Sequence, residues 1–252
     1  MGGPDIVLRA QGLRKNFGAF EVTRDVSIAL PRGARHALIG PNGAGKTTLI
    51  NLLTGQLRPD AGNIMLDGVD VTPQGPARRV RRGLSRTFQI NTLFPNLTPI
   101  EAVTLAVLEQ QHRAAQFWKP LAAHAATIDE AFGVLEQLGL ADAATRPTRT
   151  LPYGQQRLLE IALALATQPK VLLLDEPAAG VPKDESAALF AVIAALPADI
   201  SVLFIEHDMD IVFRFASRII VLVNGAVLLE ADPQTVRSDS RVREVYLGQG
   251  HG

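Results

Sequence analysis

The sequence contains no cysteine, which excludes a disulfide framework and a thiolate metal site. Neither charge is in excess, because 25 lysines and arginines balance 25 aspartates and glutamates. That balance argues against a nucleic-acid surface and against a polybasic membrane anchor. No apolar run approaches the ~18–20 residues of a membrane-spanning helix, and residues 1–11 lack the basic-then-apolar order of a secretion signal. We therefore expect a soluble, cytoplasmic protein.

What the chain does have is enough apolar material for a substantial core. Of its 252 residues, 47% are hydrophobic. Internal repeats and low-complexity linkers are absent from the sequence, so we expect a single domain over residues 1–252. The mean hydropathy of +0.14 fits a subunit that buries surface against a partner.

One stretch organises the rest of the chain: GPNGAGKTT follows an apolar run and precedes another. This order of strand, glycine loop and helix is the context that a phosphate-binding P-loop requires. We name residues 40–48 the P-loop. We predict that it binds nucleotide through Gly40, Pro41, Asn42, Gly43, Ala44, Gly45, Lys46, Thr47 and Thr48.

The chemistry of the P-loop follows from its residue types. Glycines at positions 40, 43 and 45 let backbone N–H groups turn inward around a polyphosphate, and the helix dipole adds positive potential there. Lys46 is predicted to reach the β- and γ-phosphates, and the Thr47 hydroxyl to hold Mg²⁺. A glycine-rich turn that binds nothing is the alternative, and the Lys-Thr pair in register disfavours it. We predict a nucleoside triphosphate site.

The order of elements predicts an α/β fold. Early strands without helices between them indicate a small antiparallel sheet, with strands at residues 6–10, 26–30 and 63–67. Strand and helix then alternate, which favours a parallel core. Its predicted strands are at 37–39, 84–88, 171–175, 202–205 and 219–223, and its helices at 45–54, 153–167, 184–196 and 209–216. The Asn224-Gly225 pair predicts a tight hairpin into residues 227–230.

Residues 90–150 have a different character from their surroundings. Apolar residues recur there at helical spacing, most clearly over 98–109 and 128–138. We therefore expect a parallel core and an antiparallel β subdomain formed by residues 1–89 and 151–252, with a helical insertion at 90–150.

Two carboxylates follow the apolar strand at 171–175. Ligands collect at the C-terminal ends of parallel strands, so Asp175 is predicted to support Mg²⁺. Glu176 is placed to polarise a water for in-line attack on the γ-phosphorus. A strand that leaves the core through a charged turn is the commoner explanation of such a pair. The presence of a P-loop in the same chain favours the catalytic one.

Two other strand ends carry candidate catalytic residues. His207 comes directly after the strand at 202–205 and Glu206, where a core strand would deliver it beside the phosphates. A single histidine is more often a packing or surface residue. Gln89 also follows a strand and is a candidate contact to Mg²⁺ or to the attacking water.

These motifs, taken in order, resemble those of an ABC transporter ATPase subunit over nearly the whole chain. They are GPNGAGKTT, Gln89 after Arg86-Thr87-Phe88, LPYGQQR, VLLLDEP and His207. Among such subunits the chain is most similar to the branched-chain amino-acid uptake ATPases, in segments that include LFPNLT, LLEIA, PAAG and VYLG.

The resemblance implies two ATP molecules sandwiched in a head-to-tail dimer, each between one subunit's P-loop and the other's signature. The signature matches Leu151, Pro152, Tyr153, Gly154 and Gln155, at the start of a helix. It also implies that Phe17 stacks on adenine, worth ~1–3 kcal/mol, with core packing as the alternative. Residues 178–181, which we name the interface loop, match the segment that crosses the dimer interface. The insertion with Gln89 would dock on a membrane permease, so the subunit would lie at the inner face of the membrane.

The chain departs from the family pattern at three positions. Proline stands at 152 where a serine is usual, at 182 where a polar residue is common, and leucine at 163 where an arginine is frequent. Pro152 has neither hydroxyl nor backbone N–H, so two possible donors to the partner's ATP are gone. As an alternative, this proline merely starts the helix, which is a place that proline favours.

The resemblance thus implies an ATP-hydrolysing subunit that drives uptake of branched-chain or related amino acids. An extracytoplasmic solute-binding protein would be an indirect partner, and the second ATPase subunit would be the same or a different chain. The solute is not encoded here, and aromatic acids, amides and urea stay open. A P-loop phosphotransferase and an ABC ATPase of DNA or ribosome function are the rival classes. Neutral charge disfavours the second of these rivals.

Overall fold

The computed structural model describes residues 5–87, 93–111 and 125–247. The strands in these ranges are β1 (Ile6–Phe17), β2 (Phe20–Pro31), β3 (Arg35–Ile39), β4 (Ala61–Leu66), β5 (Val69–Asp70), β6 (Leu84–Arg86), β7 (Val171–Asp175), β8 (Ser201–Ile205), β9 (Arg218–Val223) and β10 (Ala226–Ala231). The α-helices are α1 (Lys46–Thr54), α2 (Pro76–Arg81), α3 (Pro99–Gln110), α4 (Ala125–Gln137), α5 (Tyr153–Leu165), α6 (Lys183–Ala194), α7 (Met209–Phe215), α8 (Pro233–Ser238) and α9 (Ser240–Leu247).

The first sheet is antiparallel and has the strand order β2-β1-β4-β5. Its β1–β2 hairpin is far longer than the two short strands that the sequence predicts. The register of the pair shifts between Ala10 and Leu13 and again further on, with Gly12 at a φ of +60°. These irregularities interrupt the alternation of apolar and polar residues, so the outer half of the hairpin carries no clear strand pattern.

The second sheet has the order β10-β9-β3-β8-β7-β6. Its strands are parallel except for β10, which pairs with β9 through the predicted hairpin. Ile205 at the end of β8 pairs with Leu38 of β3 on one side and with Asp175 of β7 on the other. The C-terminal ends of β3, β7 and β8 therefore meet at one edge, and the predicted parallel core with an antiparallel subdomain is confirmed.

Alternate residues of the central strands face opposite sides of this sheet. Leu38 and Leu173 belong to a buried cluster with α1 and the antiparallel sheet. Ile39 and Leu174 belong to another cluster, which includes residues of α3, α4, α5 and α6. The result is a layered arrangement in which the central sheet is covered on both faces, as parallel sheets require.

Local sequence signals explain several helix ends. Thr98 caps α3 in a reciprocal capping box with Glu101, and Gly55 ends α1 in the left-handed conformation at a φ of +77°. The short helices α2, α8 and α9 have few apolar positions, and periodicity did not predict them. Among the described residues no helix combines the length and the apolar character needed to cross a membrane.

Candidate nucleotide-binding site

The P-loop lies close to its neighbours at two of its glycines. A Cβ added to Gly40 would be 2.2 Å from the carbonyl oxygen of Leu222, and one added to Gly45 would be 2.9 Å from that of Val22. A Cβ on Gly43 would have no protein atom within 4 Å, and its φ is +78°. Two glycines therefore allow the loop to pack against β9 and β2. Gly43 provides the left-handed turn that the loop needs.

The β9–β10 hairpin turn supports the P-loop from outside. The N–H of Gly225 donates to the carbonyl oxygen of Ala44 at 3.0 Å, and its own carbonyl accepts from Arg24 at 2.7 Å. The C-terminal helix lies near the same loop: burial raises the pKa of Tyr246 to about 12, and the backbone of Gly40 opposes this shift. Segments far apart in sequence thus fix the loop's conformation.

Lys46 is 8% exposed, and its ammonium lies inside the loop. Its Nζ donates to the carbonyl oxygens of Gly40 at 2.6 Å and Pro41 at 3.0 Å. Burial lowers the pKa of Lys46, while the charges of Glu176 and Asp175 act in the opposite direction. An ammonium has three donors, so one remains for a phosphate oxygen while the two carbonyl contacts persist.

The N-terminus of α1 points an uncapped helix end at the loop. Gly45 is the N-cap, no side chain caps the helix, and its first turn contains no acidic residue. The side chain of Thr47 is exposed at this end. Unsatisfied first-turn N–H groups and the helix dipole together favour an anion.

Asp175 ends β7 and is held by an arginine that sequence analysis did not single out. Its Oδ2 accepts from a guanidinium nitrogen of Arg86 at 2.6 Å, and Arg86 also donates to Asn51 Oδ1 at 2.8 Å. Arg86 therefore bridges α1, which carries Thr47, and β7, which carries Asp175. Its place at the last position of β6 was visible in the sequence, but its partners were not.

Glu176 and His207, predicted from separate strand ends, are in direct contact. His207 Nε2 lies 2.8 Å from Glu176 Oε1. Glu176 adopts a φ of +50° and donates its N–H to the carbonyl of Ile205 at 3.1 Å. A left-handed conformation costs a residue with a side chain ~1–2 kcal/mol. The hydrogen bond from the N–H of Glu176 to Ile205 offsets this cost. Both side chains are about half exposed, so a substrate can reach them.

Glu206 is a further carboxylate at this edge, and its side chain is buried. One of its oxygens accepts from the N–H of Ala178 at 2.9 Å and the other from the N–H of His207 at 3.2 Å. Burial raises its pKa, and those two hydrogen bonds oppose the shift. The sequence signal was its position directly after five buried strand residues.

The signature lies at the start of α5 and contacts the interface loop. Arg157 donates to the carbonyl of Ala179 and to the hydroxyl of Tyr153, both at 3.1 Å. A Cβ on Gly180 would be 2.9 Å from that hydroxyl. Pro152 is the N-cap, with φ −52° and ψ 152°, and α5 begins at Tyr153 as predicted. The extended ψ explains this, because it places Pro152 just outside the helix.

A family model for the ABC transporter family matches residues 23–179. The chain belongs to this family. It is 37% identical to the high-affinity branched-chain amino acid transport ATP-binding protein BraF of Pseudomonas aeruginosa, over 96% of this chain and 98% of that protein. It is 38% identical, with the same coverage, to the high-affinity branched-chain amino acid transport ATP-binding protein LivG of Escherichia coli (strain K12).

A solved structure has the same fold. The ADP conformation of MJ1267, an ATP-binding cassette of an ABC transporter, superposes with a TM-score of 0.86 at 34% identity, covering 96% of this chain and 99% of that one. The chain is thus an ATPase subunit of the ABC transporter family.

Two predicted positions of this ABC ATPase remain. Phe17 ends β1 and is 47% exposed, with Lys15 Nζ at 5.9 Å from its ring centre. This exposure argues against core packing and leaves a ring face available for adenine. Gln89 lies outside the described residues.

Proposed function

We propose that this ABC ATPase hydrolyses MgATP at the P-loop and thereby drives a membrane permease that imports branched-chain or related amino acids. The observation that carries the catalytic part is the Glu176–His207 contact of 2.8 Å at the sheet edge beside Lys46. The solute class rests on the relatives, which are named as branched-chain amino acid transport proteins over nearly their full length.

The chemistry at this site is an in-line displacement. Lys46 and the first N–H groups of α1 hold the β- and γ-phosphates. Glu176 accepts a proton from water, whose oxygen forms a bond to the γ-phosphorus while the bond to the bridging oxygen breaks. The products are ADP and inorganic phosphate. His207 orients the Glu176 carboxylate through their shared hydrogen bond and lies within reach of the γ-phosphate.

The donor set fits Mg²⁺. The exposed hydroxyl of Thr47 and the carboxylate of Asp175 are hard oxygen ligands, and Mg²⁺ is usually bound by few protein groups together with phosphates and water. Among the described residues, no group of three or more acidic, histidine or cysteine side chains is arranged so that it could hold a metal ion. Bound Mg²⁺ would neutralise charge on the β- and γ-phosphate oxygens. Gln89 completes our proposed ligand set.

Each ATP is enclosed by a second ATPase subunit. Residues 151–155 of one subunit face the phosphates held by the other, and Phe17 stacks on the adenine. The N-terminus of α5, uncapped by any side chain, supports this placement. The partner is a second copy of this chain or a different ATPase. With Pro152 in the signature, a different partner with an intact serine would make the two ATP sites unequal.

Pro152→Ser is expected to raise the ATPase activity of this chain as a homodimer. Serine supplies a hydroxyl donor to a charged group, worth roughly 1.5–3 kcal/mol, so roughly a tenfold gain or more is expected. The measurement is phosphate release per subunit at saturating MgATP.

Pro152→Ala is the matched control, because it restores the backbone N–H without the hydroxyl. A gain in the serine variant alone assigns the effect to the hydroxyl. No gain in either variant would mean that Pro152 serves only to begin α5.

We propose that the permease docks beside residues 90–150. This insertion would transmit the movements of the ATPase to the permease. An adjacent apolar cavity of about 150 Å³ supports this location, and Val80, Leu84 and Leu163 are among its lining residues. Arg86 also lines the cavity and donates a hydrogen bond to Asp175. A permease segment bound in the cavity would therefore contact a side chain that is bonded directly to a proposed Mg²⁺ ligand. The subunit would thus lie peripherally at the inner face of the membrane. An extracytoplasmic binding protein would deliver the solute.

The function is tested by co-expressing the chain with its permease and binding protein and reconstituting them in vesicles. We expect MgATP to drive uptake of radiolabelled leucine, isoleucine or valine, with all γ-phosphate recovered as inorganic phosphate. Uptake of an amide, urea or an aromatic acid instead would reassign the solute. Transfer of the γ-phosphate to a small acceptor would show a phosphotransferase and overturn the proposal.

A further inference from the structure

Glu206 joins two parts of the site that are separate in sequence. It is 6% exposed, and its carboxylate accepts one N–H from the interface loop, at Ala178, and one from His207. An anion buried this deeply needs such donors. Glu206 is therefore the shared hydrogen-bond acceptor for the backbone of the interface loop and for the backbone of His207.

On one side, Glu206 reaches a loop that is already tied to the signature helix. Ala178 is followed by Ala179, whose carbonyl accepts from Arg157, and by Gly180, which lies against the ring of Tyr153. The interface loop is therefore held at its start by Glu206 and one residue later by α5. A shift of α5 or of the loop must act on the Ala178–Glu206 bond.

On the other side, Glu206 fixes the backbone of His207. The imidazole of His207 in turn contacts Glu176 Oε1 at 2.8 Å. Glu176 precedes Ala178 by two residues, so these contacts close a ring from Ala178 through Glu206, His207 and Glu176 and back along the chain. A displacement of the loop would therefore act on the imidazole through this ring.

We propose that Glu206 is a positioning residue that couples the interface loop to the His207–Glu176 pair. This coupling role rests on the proposed hydrolysis at Glu176. Both carboxylate oxygens of Glu206 accept from backbone N–H groups, so its role is to position its neighbours. When a partner subunit seats the interface loop, Glu206 sets the orientation of His207, so hydrolysis depends on the closed interface.

The geometry requires two acceptors on one side chain. Glutamine has a single acceptor oxygen, and its amide group would face one of the two N–H donors. Glu206→Gln therefore loses one of the two bonds while the size of the side chain is kept. Small displacements of a catalytic group reduce the rate of the chemical step and leave substrate binding unchanged.

The test is steady-state hydrolysis by the full chain. Glu206→Gln is expected to lower kcat by roughly 10²-fold, with KM and the Kd for ATP within about twofold of the parent chain. Glu230→Gln is the matched control, since burial also raises the pKa of this glutamate and it lies on β10. We expect it to leave kcat unchanged.

A double-mutant cycle with His207→Ala separates positioning from a general loss of structure. His207→Ala alone is expected to cost ~10²–10³ in rate, and adding Glu206→Gln should cost little more, because both act through the same imidazole. Additive losses, an unchanged kcat in Glu206→Gln, or a parallel loss of ATP affinity would each overturn the proposal.

If Glu206→Gln fails to fold, Ala178→Pro tests the same contact by removing the N–H donor from the other partner. It should give the same kcat loss at unchanged Kd, and full activity would overturn the inference. Failure of the proposed function is distinguishable, because Glu176→Gln would then leave hydrolysis intact. An inactive Glu176→Gln together with a fully active Glu206→Gln rejects only the role of Glu206.

Discussion

Glu176→Gln is expected to abolish ATP turnover while nucleotide binding stays intact. The amide keeps the shape of the side chain and can still pair with His207, but it cannot accept a proton from the attacking water. General-base catalysis contributes ~10²–10⁴ in rate, so phosphate release should fall by that factor. The Kd for ATP should stay within about twofold. A long-lived ATP-bound dimer should accumulate, and size-exclusion chromatography with light scattering would detect it.

Glu136→Gln on α4 provides the control, because Glu136 is an exposed glutamate on a helix away from the sheet edge. It should hydrolyse ATP at the rate of the parent chain. Normal hydrolysis by Glu176→Gln would exclude Glu176 as the base and would leave the left-handed backbone at this position without a catalytic explanation.

Lys46→Ala should produce the opposite pattern, with nucleotide affinity itself reduced. The buried ammonium neutralises phosphate charge in the ground state as well as in the transition state. A hydrogen bond to a charged group is worth roughly 1.5–3 kcal/mol, which corresponds to about a 10- to 150-fold increase in the Kd for ATP. Isothermal titration with ATP or a non-hydrolysable analogue measures this directly.

Lys46→Met separates charge from packing, because methionine keeps an unbranched stem and removes the ammonium. Equal losses in the alanine and methionine variants would assign the effect to the charge, whereas unchanged affinity in both would remove Lys46 from the phosphate site. Lys183→Ala, which deletes an exposed lysine on α6, should bind ATP normally.

Local sequence signals predicted the parts of the site that depend on neighbouring residues. The P-loop and α1 follow from glycines between two apolar runs, and β7 follows from four consecutive apolar residues before Asp175. Their meeting at one edge follows from the parallel order of strands. The contact between Glu176 and His207, which were each predicted separately to lie beside the phosphates, is a consequence of the same topology.

Contacts between distant side chains were beyond sequence reasoning. The Arg86–Asp175 bond joins residues 89 positions apart, and no local pattern encodes it. The N–H group of Ala178 that donates to Glu206 was equally hidden, because its position depends on the register that pairs Asp175 with Ile205. The outer half of the β1–β2 hairpin was missed because its register shifts interrupt the alternation on which strand prediction rests.

The hairpin turn at Asn224 and Gly225 limits where this protein can be engineered. Exposed hairpin tips are ordinarily good sites for inserted domains, affinity tags and new termini. Here a Cβ on Gly225 would be 2.4 Å from the carbonyl of Val22, and the turn holds Ala44 of the P-loop. A reporter inserted at 224–225 would therefore disturb ATP binding. Gly75, which is exposed with a φ of −77° and where a Cβ would meet no atom within 4 Å, is the better point of attachment.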